Sequence, residues 1–243
     1  MGTVRMRKIC GTLLTALVLA APAARAEERE VGRKPARVLS SEDVLAATGK
    51  TIGEWGAAWW QWAFVTPGVL GDTTGQYGPQ GDVGGPVFFA EGSGGGAVTL
   101  QYAAPAKQYI LLPVTTYIWT LFPPCAEPQC AAKIVDSNFV ARVKGVSAKV
   151  DGVPVEEIQE HVVRVNRRNP LIFLVDAGPI DSSGYGGILP AEQSGYWLML
   201  APLAPGTHKI TFGATIPNLD GNTGDVLPGS TDQRTTLTLH VKN

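Results

Sequence analysis

The sequence predicts a mainly β protein: an antiparallel, jelly-roll-like β-sandwich with one or two N-terminal helices packed on it. Three observations predict this fold class. From residue 96 onward, short segments rich in β-branched and aromatic residues recur between turns that contain Gly or Pro. Before them, residues 40–65 have helix caps and helical apolar spacing. A length of 243 residues suits one sandwich with a sizeable core.

The N-terminus has the three parts of a secretory signal peptide. Three basic residues within the first eight precede an apolar run over residues 9–21, and Ala24-Arg25-Ala26 offers a cleavage site. The run is shorter than the roughly 20 residues that span a membrane. We therefore expect residues 1–26 to be removed and the mature protein to be exported to the periplasm or beyond. No stable membrane insertion is expected after cleavage.

The mature chain divides into a tail and one domain. Residues 27–40 are charged, contain a proline and lack an apolar period, which predicts a flexible N-terminal tail. Residues 41–243 then form a single β-rich domain that includes the N-terminal helices. Without residues 1–26, 16 basic residues stand against 21 acidic ones, a formal net charge of −5. Such mild acidity without a basic stripe argues against nucleic acid as the partner.

Two helices are predicted at the start of the domain. Ser40 or Ser41 can cap the first helix, which ends at Gly49. Thr51 and Glu54 have the spacing of a capping box for the second helix, and a proline bounds its end.

Four of the six tryptophans, Trp55, Trp59, Trp60 and Trp62, lie in the second helix. A helix that is apolar on both sides is usually packed between other elements. We therefore interpret the cluster mainly as core, with Trp60 the member most able to reach the surface. A ligand platform and docking at a membrane interface are the alternatives. The membrane alternative has less support because the helix contains no basic residue.

Eight segments are predicted as strands by alternation or by β-branched and aromatic content. They are residues 86–90, 97–104, 108–119, 138–155, 170–178, 195–203, 207–216 and 235–243. Residues 154–168 fit both the helical and the strand period, so a short helical turn that leads into a strand is expected there.

Cys125 and Cys130 are the only cysteines that remain after residue 26. In an oxidising compartment, such an isolated pair predicts a disulfide. A zinc site would need further Cys or His ligands nearby, and none is present. The disulfide would fix a proline-rich turn.

The second helix carries the spacing W-x3-WW-x-W, and residues 72–75 (DTTG), 86–89 (PVFF) and 94–96 (GGG) follow it. This order resembles the opening of a family of uncharacterised secreted bacterial proteins. Residues 195–198 (GYWL) are similar to the closing strands of that family. The resemblance implies a β-sandwich-like C-terminal part. It implies no activity, cofactor or catalytic residue.

No catalytic residue is predicted, because the sequence has no G-x-S-x-G elbow, no H-E-x-x-H and no P-loop. His161 is the most notable of the three histidines because it lies among Glu157, Glu160 and Arg164. Helical charge pairing explains that neighbourhood without catalysis. Several acids could serve a glycosidase or a polysaccharide lyase if two of them converge. They are Glu156, Glu157, Asp176, Asp181 and Glu192.

A weak calcium motif lies near the C-terminus. Asp220, Asn222 and Asp225 have the oxygen-rich spacing of a calcium loop, but the glutamate that closes an EF-hand is missing. A turn built on Asx and Gly residues has the same composition. Apart from this calcium candidate, no metal or cofactor is expected.

The sequence favours a secreted or periplasmic binding or structural module without catalysis, whose partner would be a glycan or another cell-envelope component. The alternative is a carbohydrate-active enzyme with an unsignalled carboxylate site. A long Gly- and Asp-rich segment follows the second helix, and such ordered loops often carry function. We expect Trp60 and Tyr77 to offer stacking faces and Asp72, Gln80 and Asp82 to offer hydrogen bonds to a ligand.

Overall fold

The computed structural model describes residues 36–66, 69, 85–166 and 168–242. The predicted signal peptide and the predicted ligand-binding residues Asp72, Tyr77, Gln80 and Asp82 lie outside the described residues.

Of the predicted tail, only residues 36–40 are described, and they pair with a strand. The N–H of Leu39 donates to the carbonyl of Met199 at 2.8 Å, and the N–H of Ala201 donates to the carbonyl of Arg37 at 2.9 Å. The paired chain therefore begins before the boundary at residue 41 that the sequence predicts.

The two N-terminal helices, α1 (Ser41–Thr48) and α2 (Ile52–Val65), start at the predicted caps. Ser40 caps α1, and Gly49 ends it in the left-handed conformation with φ +75°. The capping box of α2 is formed, because Thr51 N–H donates to Glu54 at 2.7 Å and Glu54 N–H donates to the Thr51 hydroxyl at 3.2 Å. Within the described residues, no helix has the length and apolar character needed to cross a membrane.

The strands form two packed sheets, which confirms a mainly β sandwich with N-terminal helices. The helix-covered sheet contains β1 (Val87–Phe89), β3 (Tyr109–Thr120) and β8 (Ile188–Leu200), with β6 (Val162–Val163) and β7 (Phe173–Asp176) on the far edge of β8. The outer sheet has the order β2 (Gly96–Pro105), β10 (Val226–Lys242), β9 (Gly206–Leu219), β4 (Lys144–Val150) and β5 (Val153–Pro154).

The pairing departs from a purely antiparallel sandwich at two places. β1 pairs with β3 and β2 pairs with β10 in the parallel sense, whereas the other named strand pairs are antiparallel. The chain passes from β1 through β2 in the opposite sheet before it returns as β3. Because of this crossover, β3 runs in the same direction as β1. Turn motifs in a sequence indicate antiparallel hairpins and do not indicate such a parallel pair.

Two hydrophobic cores lie on the two faces of the helix-covered sheet. Between the sheets, Leu112, Leu198 and Ile210 belong to the sandwich core. On the opposite face, Trp59 and Trp197 belong to a second core under α1 and α2. Because β8 is covered on both faces, residues 191–200 are all buried.

The close approach of α2 to β8 depends on a glycine. A Cβ atom at Gly56 would lie 2.9 Å from Gln193 Nε2 and 3.0 Å from Trp197 Cε2. A side chain here would have to displace the Gln193 amide and press on the Trp197 ring, so glycine favours this close approach of the helix to the sheet.

A segment of residues 121–142, here called the bridging segment, closes one end of the sandwich. It contains the disulfide between Cys125 and Cys130, α3 (Pro128–Ala132), a π-helical stretch over Lys133–Phe139 and a short 3-10 turn. Its helical part contacts β3, β8 and β9. The prediction of a strand over residues 138–142 is wrong, because these residues continue the helical segment, in which Val135 and Phe139 are buried at helical spacing.

Candidate functional site

A cleft of about 790 Å³ lies at the end of the sandwich where β3 passes into the bridging segment. Small-molecule sites commonly have volumes of this size. Its lining contains five aromatic side chains, namely Phe64, Tyr117, Trp119, Phe122 and Tyr185. Four polar side chains share the lining, namely Thr120, Asp181, Ser183 and Asn222. We call this site the aromatic cleft.

The aromatic side chains are held by strand geometry and by ring contacts. Tyr117 and Trp119 are two residues apart on β3 and therefore project from the same face of the sheet. The ring of Tyr117 stacks on Phe139 of the bridging segment with a centroid distance of 4.9 Å. The rings of Phe122 and Tyr185 meet edge to face at 5.4 Å. The cleft thus joins β3, the bridging segment and the loop before β8.

Asp181 organises the loop that carries Tyr185. Its Oδ1 accepts hydrogen bonds from Ser183 N–H at 2.7 Å, from the Ser183 hydroxyl at 2.6 Å and from Tyr185 N–H at 3.2 Å. The hydrogen bond from the Ser183 hydroxyl is the largest cause of the lowered pKa of Asp181. Asp181 therefore carries a negative charge at neutral pH and orients the loop of Tyr185.

Asp220 brings a second negative charge to the cleft, next to Gly221 and Asn222 in its lining. Its pKa is lowered, first by the N–H of Thr223 and then by the N–H of Asn222. The pKa of Tyr117 is raised, mainly by burial and further by the charge of Asp220. The charge of Asp220 therefore acts on the hydroxyl group of Tyr117.

The predicted calcium loop has the geometry of an Asx turn. Asp220 Oδ1 accepts from Asn222 N–H at 2.9 Å and from Thr223 N–H at 2.8 Å, and Asp225 N–H donates to the Thr223 hydroxyl at 3.2 Å. Across the described parts of the chain, no three or more His, Cys, Asp or Glu side chains group together in a way that could hold a metal ion.

Glu192 is a buried carboxylic acid behind the wall of the cleft. It lies directly opposite Trp119 in the β3–β8 pairing. The side chain is 1% exposed, and neither carboxyl oxygen has a hydrogen-bond partner among the described residues. Burial raises the pKa of Glu192 to about 7. By contrast, Glu91, which is equally buried, accepts a hydrogen bond from the Tyr102 hydroxyl at 3.1 Å.

Two further polar atoms near Glu192 lack partners within the described residues: Trp119 Nε1 and Ser194 Oγ. Ser194 lies opposite Tyr117, two pairs along from Trp119 and Glu192. All four side chains share the face of the sheet that Tyr196 and Leu198 also use. Buried polar atoms are nearly always hydrogen bonded. A cluster of several buried polar atoms without partners is therefore unusual and requires an explanation.

The structure places Trp60 in the packing between α2 and the sheet. Its indole N–H donates to the Thr116 hydroxyl at 2.9 Å, and its ring lies 5.1 Å from that of Trp59. Trp60 is half-buried and does not line the aromatic cleft, whereas Phe64, one helical turn later, does. Trp62 is also half-buried, which is less than expected.

A second groove, of about 650 Å³, lies elsewhere on the molecule and contains His161. Glu156, Glu157 and Glu160 share its lining. Burial lowers the pKa of His161, and the charges of Glu160 and Glu157 oppose this shift. The 3-10 turn Ile158–Glu160 precedes β6, as the mixed pattern over residues 154–168 predicts.

The other two histidines, His208 and His240, have local partners. His208 is buried, with Nδ1 2.7 Å from Asp151 and Nε2 2.8 Å from the carbonyl of Ala204. His240 Nδ1 lies 3.0 Å from the Thr207 hydroxyl. These histidines are part of the outer sheet and do not line the aromatic cleft.

No family model, no curated protein and no solved structure matches this chain.

Proposed function

We propose that this chain is an exported binding module without catalysis, and that its aromatic cleft takes a carbohydrate or a related small polar ligand. One observation carries the proposal: five aromatic rings and a margin of hydrogen-bonding side chains surround one cavity of about 790 Å³. Sugars present apolar faces of C–H groups and edges of hydroxyl groups. A site for them therefore needs ring faces for packing and polar atoms for orientation.

Export is part of the proposal. A disulfide between Cys125 and Cys130 is compatible with an oxidising compartment, and residues 1–26 have the pattern of a signal peptide. The W-x3-WW-x-W motif supports membership of the family of secreted bacterial proteins that the sequence resembles. A glycan or another cell-envelope component is the partner that this location would offer.

A carbohydrate-active enzyme is the second candidate, and Glu192 is the observation that favours it. Glycosidases use one carboxylic acid with a raised pKa as proton donor and a second, ionised carboxylate. Glu192 has the raised pKa and Asp181 has a lowered one. The carboxyl oxygens of Glu192 are buried, however, so this acid cannot touch a substrate in the present conformation. The binding module therefore ranks first.

A glycan array and a polysaccharide-degradation screen on residues 27–243 test the two candidates together. The binding module predicts retained glycans without new reducing ends, whereas the enzyme predicts new reducing ends. For any glycan that binds, Tyr185→Ala should weaken affinity about tenfold through the loss of one stacking face. Ile180→Ala is the matched control, because Ile180 lies in the same loop, is 69% exposed and does not line the cleft. Equal binding by both variants would exclude the cleft.

A further inference from the structure

The charged side chains at the aromatic cleft are negative among the described lining residues. Asp181 is the charged side chain in its described lining, and no Lys, Arg or His side chain appears there. Asp220 adds a second carboxylate beside the lining residues Gly221 and Asn222. Both aspartates have lowered pKa values because they accept hydrogen bonds, so both are ionised at neutral pH. Anionic ligands are therefore disfavoured in this cleft.

The ring faces of the cleft also favour positive charge. Trp and Tyr rings carry a negative potential on their faces, and a cation within about 6 Å of the ring centre is attracted to it. Trp119, Tyr117 and Tyr185 provide such rings in one cavity. Aromatic rings together with carboxylates form the recognised chemistry of sites for ammonium groups. A neutral sugar would use the rings but not the charges.

Glu192 supplies a separate observation. Its buried carboxyl group has no hydrogen-bond partner among the described residues and lies opposite Trp119 on the same face of the sheet. Directly opposed residues of neighbouring strands have Cβ atoms only about 5 Å apart. A cation seated over Trp119 would therefore be close to this carboxyl group, in surroundings where charges interact more strongly than in water. A neutral ligand would leave Glu192 without a countercharge.

We propose that the aromatic cleft selects ligands that carry an organic ammonium group, as amino sugars and quaternary amines do. This inference rests on the proposed binding function of the same cleft. The ammonium group would lie over the Trp119 and Tyr117 rings, with the carboxylates of Asp181 and Asp220 nearby and the carboxyl group of Glu192 behind Trp119.

Two pairs of probes measure how much a positive charge on the ligand contributes to affinity. Choline and its neutral carbon isostere dimethylbutanol have the same shape, and a glucosamine tetramer and its N-acetylated counterpart have the same sugar backbone. We expect the cationic member of at least one pair to bind the mature protein about tenfold more tightly in isothermal titration calorimetry. Choline alone would identify a quaternary amine as the ligand class, and the glucosamine tetramer alone would identify an amino sugar.

Asp181→Asn removes one charge and keeps an oxygen that can accept the loop hydrogen bonds. It should weaken binding of the cationic probe about threefold more than it weakens binding of the neutral probe. Trp119→Leu should abolish the preference for the cation, and circular dichroism checks its folding. Should that variant not fold, Tyr185→Phe and Tyr185→Leu compare a ring with an aliphatic group in the exposed loop. Glu156→Gln, which removes a charge outside the cleft lining, is the control.

Equal binding of the cationic and neutral members of both pairs, or no binding of any of them, would overturn the inference. The binding function itself is decided separately by the glycan array. A neutral glycan that is retained and then lost in Tyr185→Ala would keep the proposed function while the ammonium inference fails.

Discussion

Trp119 and Glu192 face each other across β3 and β8, and within the described residues neither the indole N–H nor the carboxyl group has a hydrogen-bond partner. The pair lies between the sheets, on the face that carries Tyr117 and Ser194. Trp119 lines the aromatic cleft and Glu192 lies behind it. The pair therefore affects two properties: the buried Glu192 affects the stability of the fold, and Trp119 forms part of the wall of the cleft.

The burial of Glu192 predicts a pH dependence of folding. Its pKa rises from 4.5 to about 7 in the folded protein because burial disfavours the charged form. Between these values the folded protein holds a proton that the unfolded chain has released, so stability falls as the pH rises through this window. Below pH 4.5, Glu192 is protonated in both states, so its ionisation does not change the free energy of unfolding. Above about pH 7, it is ionised in both states, and the full cost of burying the charge lowers the stability of the fold. The total is about 3 kcal/mol, at 1.36 kcal/mol for each pH unit.

Glu192→Gln should remove this dependence, because glutamine does not ionise. Above the window the variant should be more stable than the wild type by up to about 3 kcal/mol, and below it nearly equal. Urea unfolding on either side of the window measures the difference. Glu156→Gln, at an exposed position, should change stability by no more than about 0.5 kcal/mol at either pH. A stability difference between wild type and Glu192→Gln that stays constant across the window would contradict the burial of an unpartnered acid.

The features that the sequence predicts correctly depend on neighbouring residues. Ser40 caps α1, and Thr51 with Glu54 caps α2, through contacts that span only three residues. The disulfide joins two cysteines only five positions apart. Such local chemistry is visible in one sequence because it does not depend on how the sheets pair.

The aromatic cleft could not be predicted because it depends on distant parts of the chain. Tyr117, Tyr185 and Asn222 come from three segments that lie far apart in the sequence and meet in the folded structure. β8 begins at Ile188, before the predicted start at residue 195, and includes Glu192 as a buried residue. In a sequence, an acid within a strand is expected to face solvent, because acidic residues are rarely buried. Glu192 is buried because both faces of β8 are covered in the folded protein.

The Trp59 side chain should be one of the strongest contributors to stability. It is 5% exposed, and its indole N–H donates to the carbonyl of Ala90 at 2.7 Å. Its ring also lies 5.6 Å from that of Trp197. Trp59→Ala should therefore reduce the free energy of unfolding by about 3 to 5 kcal/mol. Val65→Ala, in the same helix at a position 61% exposed, should change it by no more than about 0.5 kcal/mol. An unchanged melting temperature in Trp59→Ala would refute the core interpretation.

The disulfide should stabilise the bridging segment by a modest amount. The closed loop between Cys125 and Cys130 is short, so the chain-entropy estimate is about 2 kcal/mol. In urea unfolding, the double variant Cys125→Ser, Cys130→Ser should have a free energy of unfolding lower by this amount. Wild-type protein treated with dithiothreitol should have the same lowered free energy of unfolding. Mass spectrometry of non-reduced peptides should find the two residues in one linked pair. Two free thiols in the protein purified without reductant would contradict the prediction.

The turn at Asp220 should be held by its own hydrogen bonds and not by calcium. Asp220 Oδ1 already accepts from the N–H groups of Asn222 and Thr223. We therefore expect added calcium to leave the melting temperature unchanged, and Asp220→Ala to lower it because both N–H groups lose their acceptor. Asp225→Ala is the matched control: it keeps those hydrogen bonds and should unfold as the wild type does. A calcium site would behave differently, because calcium would raise the melting temperature and either variant would remove that rise.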